Sequence, residues 1–270
     1  MKRFFPIFAL GWISIPVKNL ENWEIILAIK SNFAIEKKFA ILWKNTAFTP
    51  GYVKTTDSLD FAAGSLLIID PVIEHTNKYL NVLDDLDLKL VKVIDTHIHA
   101  DHVTGLNELS KKTNCTKIMG EKSKSEVVDL HVKEDDKIKI DNIELKVIYT
   151  PGHTDCSYSY LMNDRVFTGD TLLINGTGRT DFQNGSAKDQ YDSLFNKLLK
   201  LPENTIVLPA HDYNGKTSST IGSELKNNPR LQVDSVDQYI EIMNNLNLAN
   251  PKMMDIAVPA NVKGLTSDQI

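Results

Sequence analysis

Four short apolar runs in this chain each lead directly into histidine or aspartate, and this arrangement restricts the fold more than any other feature. Residues 88–94 read as a strand and run into Thr96-His97-Ile98-His99-Ala100-Asp101-His102. Residues 144–149 run into Thr150-Pro151-Gly152-His153-Thr154, residues 165–168 into Gly169-Asp170, and residues 206–209 into Ala210-His211-Asp212. Loops leaving one edge of a sheet collect functional groups in α/β proteins, because rigid strands fix where each loop begins. The chain must therefore fold so that these four strand ends meet.

The rest of the pattern supports a layered α/β structure, with apolar strand-like runs alternating with amphipathic helical stretches. Residues 66–69 form a strand stopped by Asp70 and Pro71, and 117–119 another ending at Gly120. Helices are expected over 74–83, 105–113, 188–199 and 236–246. Residues 136–140 and 144–149 form a hairpin through Asp141-Asn142. Gly105, Gly152 and Gly169 are expected where the backbone turns tightly. A chain of 270 residues, 42% hydrophobic, can bury one large α/β core.

Five of the 7 histidines fall on the four junctions. A lone histidine after a strand is usually a polar loop residue, but the whole set together reads as a metal site. Imidazole nitrogen and carboxylate oxygen suit zinc or ferrous iron. Only 2 cysteines occur, Cys115 and Cys156, which excludes a zinc site built on thiolates and fits a reducing compartment. His75 and His131 have no partner motif and are expected at the surface. The formal charge of -5 argues against a surface dedicated to nucleic acid or an anionic membrane.

Together, His97, His99, Asp101, His102, His153, Asp170 and His211 resemble the signature of the metallo-β-lactamase superfamily. The resemblance implies an α/β fold of αββα sandwich type. Within the superfamily, the segments around Phe167–Ile174 and Gly178-Arg179-Thr180-Asp181-Phe182 look like the persulfide dioxygenases. So do Pro209-Ala210-His211-Asp212-Tyr213-Asn214-Gly215, Asn228-Pro229-Arg230-Leu231 and the stretch from Met254 to Asn261. That resemblance implies one Fe(2+) per chain, ligated by His97, His153 and Asp170 as the catalytic set. His99, Asp101, His102 and His211 would stand behind the ligands and orient them. Glutathione persulfide and O2 would be the substrates, with sulfite and glutathione as products.

Glutathione carries two carboxylates, so a cation is expected near the metal. Arg179 is the choice, with a loop-holding salt bridge to Asp181 as an alternative role that does not exclude binding. Tyr213 is a second substrate-binding residue, with core packing as its alternative. Cys156, although close to His153, reads as buried filler, and Thr177 stands where some relatives carry cysteine.

Two rival readings use the same residues. A dinuclear hydrolase of the glyoxalase II type, holding two Zn or Fe ions, would need the same ligands and would cleave S-acylglutathione. A metal-stabilised binding module without activity fits less well, because structural sites are closed and four-coordinate. Residues 1–63 depart from the family, and the first strands of its sandwich are not recognisable there. The expected organisation is a divergent N-terminal segment (1–63), a metallo-β-lactamase-like domain (64–261) and a C-terminal tail (262–270). The expected location is cytoplasmic, or the mitochondrial matrix in a eukaryote. A targeting segment is an alternative reading of Lys2, Arg3 and the apolar run after them. No nucleic acid and no stable membrane association are expected, and a homodimer is an open expectation.

Overall fold

Leu66, Leu67, Ile68 and Ile69 are all buried, as a strand covered on both faces requires. Their alternation shows what covers each face in the computed structural model. It describes the strands Trp12–Pro16, Trp23–Ile29 and Lys37–Lys44, and residues 62–270 apart from 86, 142, 250 and 252. Leu66 and Ile68 pack with Tyr79, Val82 and Leu83 of helix α1 (Thr76–Asp85) and with Leu106 and Leu109 of α2 (Leu106–Thr113). Leu67 and Ile69 turn the other way, into a cluster with Leu145, Val147, Tyr160 and Phe167 of a second sheet. Each buried side chain of this size stabilises the fold by about 1.5–3 kcal/mol.

The first sheet has seven strands in the order β1 (Trp12–Pro16), β2 (Trp23–Ile29), β3 (Lys37–Lys44), β4 (Ala62–Ile69), β5 (Leu88–Ile94), β6 (Thr116–Gly120) and β7 (Leu130–Val132). β1 to β3 pair antiparallel, and β3 to β7 pair parallel. The second sheet comprises β8 (Lys137–Ile140), β9 (Ile143–Tyr149), β10 (Tyr158–Leu161), β11 (Arg165–Gly169), β14 (Ile206–Pro209) and β15 (Ser219–Thr220). A small ribbon of β12 (Leu172–Leu173) and β13 (Gly176–Thr177) lies between β11 and β14 in sequence. On the outer face of the second sheet, Val166 and Val207 pack with Leu194, Leu198 and with Tyr239 and Met243 of α5 (Val236–Asn244). Helices thus cover both outer faces of two packed sheets, the αββα sandwich that the resemblance implies.

The strands expected over 88–94 and 206–209 have those bounds. The hairpin is present with Ile140 opposite Ile143, and Asp141 takes the left-handed conformation (φ 52°) that a two-residue turn favours. The helix expected over 188–199 is present but not uniform. α3 (Ala187–Asp192) starts at Ser186, whose side chain accepts from the Asp189 N–H, and widens into a π turn at Ser193–Lys197. At the widening, the Ser193 hydroxyl donates to the Pro151 carbonyl at 2.7 Å, which ties the helix to the loop carrying His153.

Three features differ from the sequence expectations. The first strands are present as β1 to β3, within the region where they were not recognisable. Helices α4 (Ile221–Asn227) and α6 (Met254–Lys263) were not anticipated. Pro259 lies inside α6, and proline in a helix interior removes a donor, which is the local signal that argues against a helix there. Gly105 sits at φ −79° before α2 and needs no special backbone freedom, unlike Gly152 and Gly169, which have positive φ. Residues 262–270 are docked: Lys111 donates to the Thr266 hydroxyl, and Glu108 accepts from the Ser267 N–H. No helix among the described residues is long and apolar enough to cross a membrane.

Candidate active site

β9 and β11 run in the same direction because antiparallel β10 carries the chain back between them, and β14 is parallel to β11. The C-terminal ends of all three therefore emerge on one edge of the second sheet. They bring His153, Asp170 and His211 there, and β5 delivers the HxHxDH segment to the same place from the first sheet.

The three expected ligands come together: His97, His153 and Asp170 each offer a ligand atom, and these lie within 4.8 Å of one another. The hydrogen bonds behind them suit metal binding. His153 Nδ1 donates to the Arg179 carbonyl at 2.7 Å, which leaves Nε2 with its lone pair. That lone pair faces Asp170 Oδ2 at 3.6 Å, an arrangement that a cation between them reconciles. Behind His97, the Thr96 hydroxyl donates to the Asp70 carboxylate at 3.0 Å and accepts from His97 Nδ1 at 2.9 Å. His97 Nε2 is thereby free as a ligand atom. Burial, reinforced by the His99 and His153 imidazoles, pushes the His97 pKa well below the ordinary histidine value, so the neutral, ligating form is favoured. Burial would raise the Asp170 pKa, but His211, His153 and His97 hold it below the usual carboxylate range. The donor set therefore fits a divalent cation.

The other four expected residues sit around this trio. His99 is buried beside Asp70, with Nε2 3.0 Å from Asp70 Oδ1. Burial lowers its pKa, but the Asp70 carboxylate outweighs that and raises it. His102 Nδ1 lies 3.1 Å from Asp101 Oδ2, and the same oxygen is 3.0 Å from His211 Nε2. His211 Nδ1 reaches Asp170 Oδ1 at 2.5 Å. His211, Asp101 and Asp170 line the cavity with His97 and His153, whereas His99 and His102 stand behind it.

The cavity, about 500 Å³, also holds Arg179, Tyr213 and Arg230. Arg179 makes the salt bridge that was its alternative role, with Nε and Nη2 each 2.6 Å from Asp181, and it also donates to the Ala249 carbonyl. It pins the segment around 248–249 over the pocket and stacks on Phe182. Tyr213 is 82% exposed and lies parallel to the His211 ring, so core packing is not its role. Arg230 was missed as a site residue, although its Asn-Pro-Arg-Leu segment drew notice. It has no ion-pair partner among the described residues. Its Nη1 is held by the Thr177 carbonyl and hydroxyl. Tyr239 also donates to the Thr177 hydroxyl at 3.1 Å, so Thr177 aims the arginine. Cys156 is buried, as expected, and accepts from the Ile98 N–H at 3.4 Å, and burial raises its pKa, which disfavours the thiolate. His131 is exposed, and His75 is half-buried against Tyr79.

Comparison with known proteins agrees with this geometry. The model of the Metallo-beta-lactamase superfamily matches residues 61–211. The mouse (Mus musculus) protein named "Persulfide dioxygenase ETHE1, mitochondrial" is 43% identical over 200 residues, covering 73% of this chain and 78% of the relative. The crystal structure of ETHE1 from Myxococcus xanthus superposes with a TM-score of 0.74 at 37% identity, covering 94% of this chain and 98% of the other. A hydroxyacylglutathione hydrolase of Dictyostelium discoideum matches less of the chain, at 32% identity over 174 residues, 60% of this chain and 63% of the hydrolase. With its histidines and aspartates gathered at one edge of an αββα sandwich, the chain belongs to the metallo-β-lactamase superfamily and, within it, to the persulfide dioxygenases.

Proposed function

We propose that this enzyme oxidises glutathione persulfide with O2 and water to sulfite and glutathione, using one ferrous ion held by His97, His153 and Asp170. The observation that carries the reading is the convergence of these donors on a cavity that also holds Arg230, a guanidinium with no ion-pair partner among the described residues. A ferrous ion held by His97, His153 and Asp170 would supply activation of dioxygen. The protein's own groups do the rest. Asp70, Thr96 and the Arg179 carbonyl hold the imidazoles in the ligating tautomer, and Arg230 offers donors to a substrate carboxylate. Tyr213 stands at the mouth with its hydroxyl available to the tripeptide. The mitochondrial label of the mouse relative supports a mitochondrial location in a eukaryotic cell.

The test is oxygen uptake by the iron-loaded protein with glutathione persulfide, run beside an S-acylglutathione control. Rapid uptake with sulfite release is expected. Thioester hydrolysis without oxygen uptake would sink the reading.

For the substrate role of Arg230, alanine replacement removes a charge-assisted contact worth about 1.5–3 kcal/mol. The Michaelis constant should rise roughly 10–100-fold, with kcat little changed. An Arg230→Ala enzyme with an unaltered Michaelis constant would remove this residue from substrate binding.

One observation favours the dinuclear hydrolase as a second reading. His99 Nδ1 is buried without a hydrogen-bond partner among the described residues and faces Asp101 Oδ1 at 3.9 Å. His99, Asp101 and His102 also form a group that could hold a cation. Metal analysis separates the two readings: one iron per chain for the dioxygenase, two metal ions for the hydrolase.

A further inference from the structure

The HxHxDH segment is held by a residue far from it in sequence. Asn261, on α6, is 3% exposed, and its side-chain amide makes three hydrogen bonds, all to the backbone of this segment or just beyond it. Nδ2 donates to the carbonyls of His99 and His102 at 2.9 Å each, and Oδ1 accepts from the Thr104 N–H at 2.8 Å. Two acceptors face the nitrogen and one donor faces the oxygen, so only one orientation of the amide satisfies the site. The helix is itself anchored. Asn107 donates to the Gly264 carbonyl at 2.6 Å, the Glu126 N–H to the Val262 carbonyl at 2.8 Å, and Ala257 and Ala260 pack with Ile73 and Val103.

We propose that Asn261 is a positioning residue of the metal centre, fixing the two peptide groups from which the supports of His97 and Asp170 begin. One support starts at His99, whose ring meets Asp70. Asp70 accepts from the Thr96 hydroxyl, and that hydroxyl meets His97 Nδ1. The other starts at His102, whose ring meets Asp101. Asp101 meets His211, and His211 meets Asp170. Asn261 does not line the cavity, so its influence runs through these supports and not through the substrate. Aspartate in its place keeps the shape and the acceptor for Thr104, but it loses both donors and sets a negative charge against two carbonyls. The inference rests on His97, His153 and Asp170 as the ligand set, and not on the identity of the substrate.

The experiment compares Asn261→Asp with Asn107→Ala, which cuts an anchor of α6 at Gly264 and leaves the contacts to His99, His102 and Thr104 in place. Co2+ is the probe, with its affinity measured by equilibrium dialysis and its ligand-field bands by absorption spectroscopy. Asn261→Asp should bind Co2+ about 10–100-fold more weakly, the usual cost of changing a group that orients metal ligands, with shifted bands. Asn107→Ala should lower the thermal midpoint while leaving the Co2+ affinity and spectrum unchanged. In turnover, Asn261→Asp should lower kcat and leave the Michaelis constant for the persulfide unaltered. Parent-like Co2+ binding by Asn261→Asp overturns the proposal. So does a loss of affinity in both variants that simply tracks their thermal destabilisation. If Asn261→Asp does not fold, Asn261→Ser, which leaves room for water, carries the same expectation. If the Co2+ affinities separate as expected but no protein consumes oxygen with persulfide, the positioning role stands and the proposed reaction fails.

Discussion

His97→Ala is expected to yield a folded protein that no longer retains metal and has no measurable turnover. His97 is buried, its Nδ1 is committed to Thr96, and its Nε2 is the atom left to ligate. Removing it should cost more than the roughly 10–100-fold in metal affinity that changing a supporting group costs. Metal analysis after dialysis, with circular dichroism to confirm folding, reads this directly, and exposed His131→Ala serves as the control. Stoichiometric metal in His97→Ala would remove this residue from the ligand set. The apo-protein adds a pH signature. The folded state keeps His97 neutral, with a pKa well below the ordinary histidine value, whereas the unfolded chain takes up the proton near that value, about 6.5. The stability tied to the neutral form is complete above pH 6.5 and declines as the pH falls below it. His97→Ala should therefore flatten the acid limb of the apo-protein's stability curve.

Gly178→Ala should also weaken the metal centre, without replacing any ligand side chain. A Cβ at Gly178 would stand 2.1 Å from the Asp170 carbonyl oxygen and 2.9 Å from His153 Nδ1. The Gly178 N–H also donates to that Asp170 carbonyl at 2.8 Å, so the backbone has no easy direction in which to move. Overpacking of this kind costs about 1–3 kcal/mol, and more against backbone. If the displacement falls on Asp170 and His153, metal affinity should drop roughly 5–150-fold, at 1.4 kcal/mol per tenfold. Gly176→Ala is the matched control, because its Cβ would meet only Leu173 Cβ at 4.0 Å. Equal metal affinity in the two variants would show that the Gly178 contact does not constrain the ligands.

The strand ends and the histidines and aspartates on them were legible in the sequence because that signal is local. An apolar run such as residues 206–209 is buried wherever the sheet forms, and the residue after its end must leave the sheet. The resemblance then supplied the sandwich. Helix α6 was not legible as a helix, because Pro259 argues against one locally while the packing of Ala257 and Ala260 against Ile73 and Val103 supports one. The strands β1 to β3 carry no short motif, and pairing with β4 is what completes their sheet.

The choice of arginine shows most clearly where sequence reasoning stops. Nearness to Asp170 along the chain pointed to Arg179, with a bridge to Asp181 as an alternative that does not exclude substrate binding. Only the tertiary structure shows Arg179 committed to Asp181 and to the Ala249 carbonyl, while Arg230 arrives from the turn after α4 with no ion-pair partner among the described residues. By itself the sequence determined which residues could bind a metal and which strand ends carry them. Burial, tautomers, the hydrogen bonds from Asn261 to the backbone of His99, His102 and Thr104, and an arginine in the cavity with no ion-pair partner among the described residues were decided by folding. They depend on groups that are distant along the chain meeting within hydrogen-bond range.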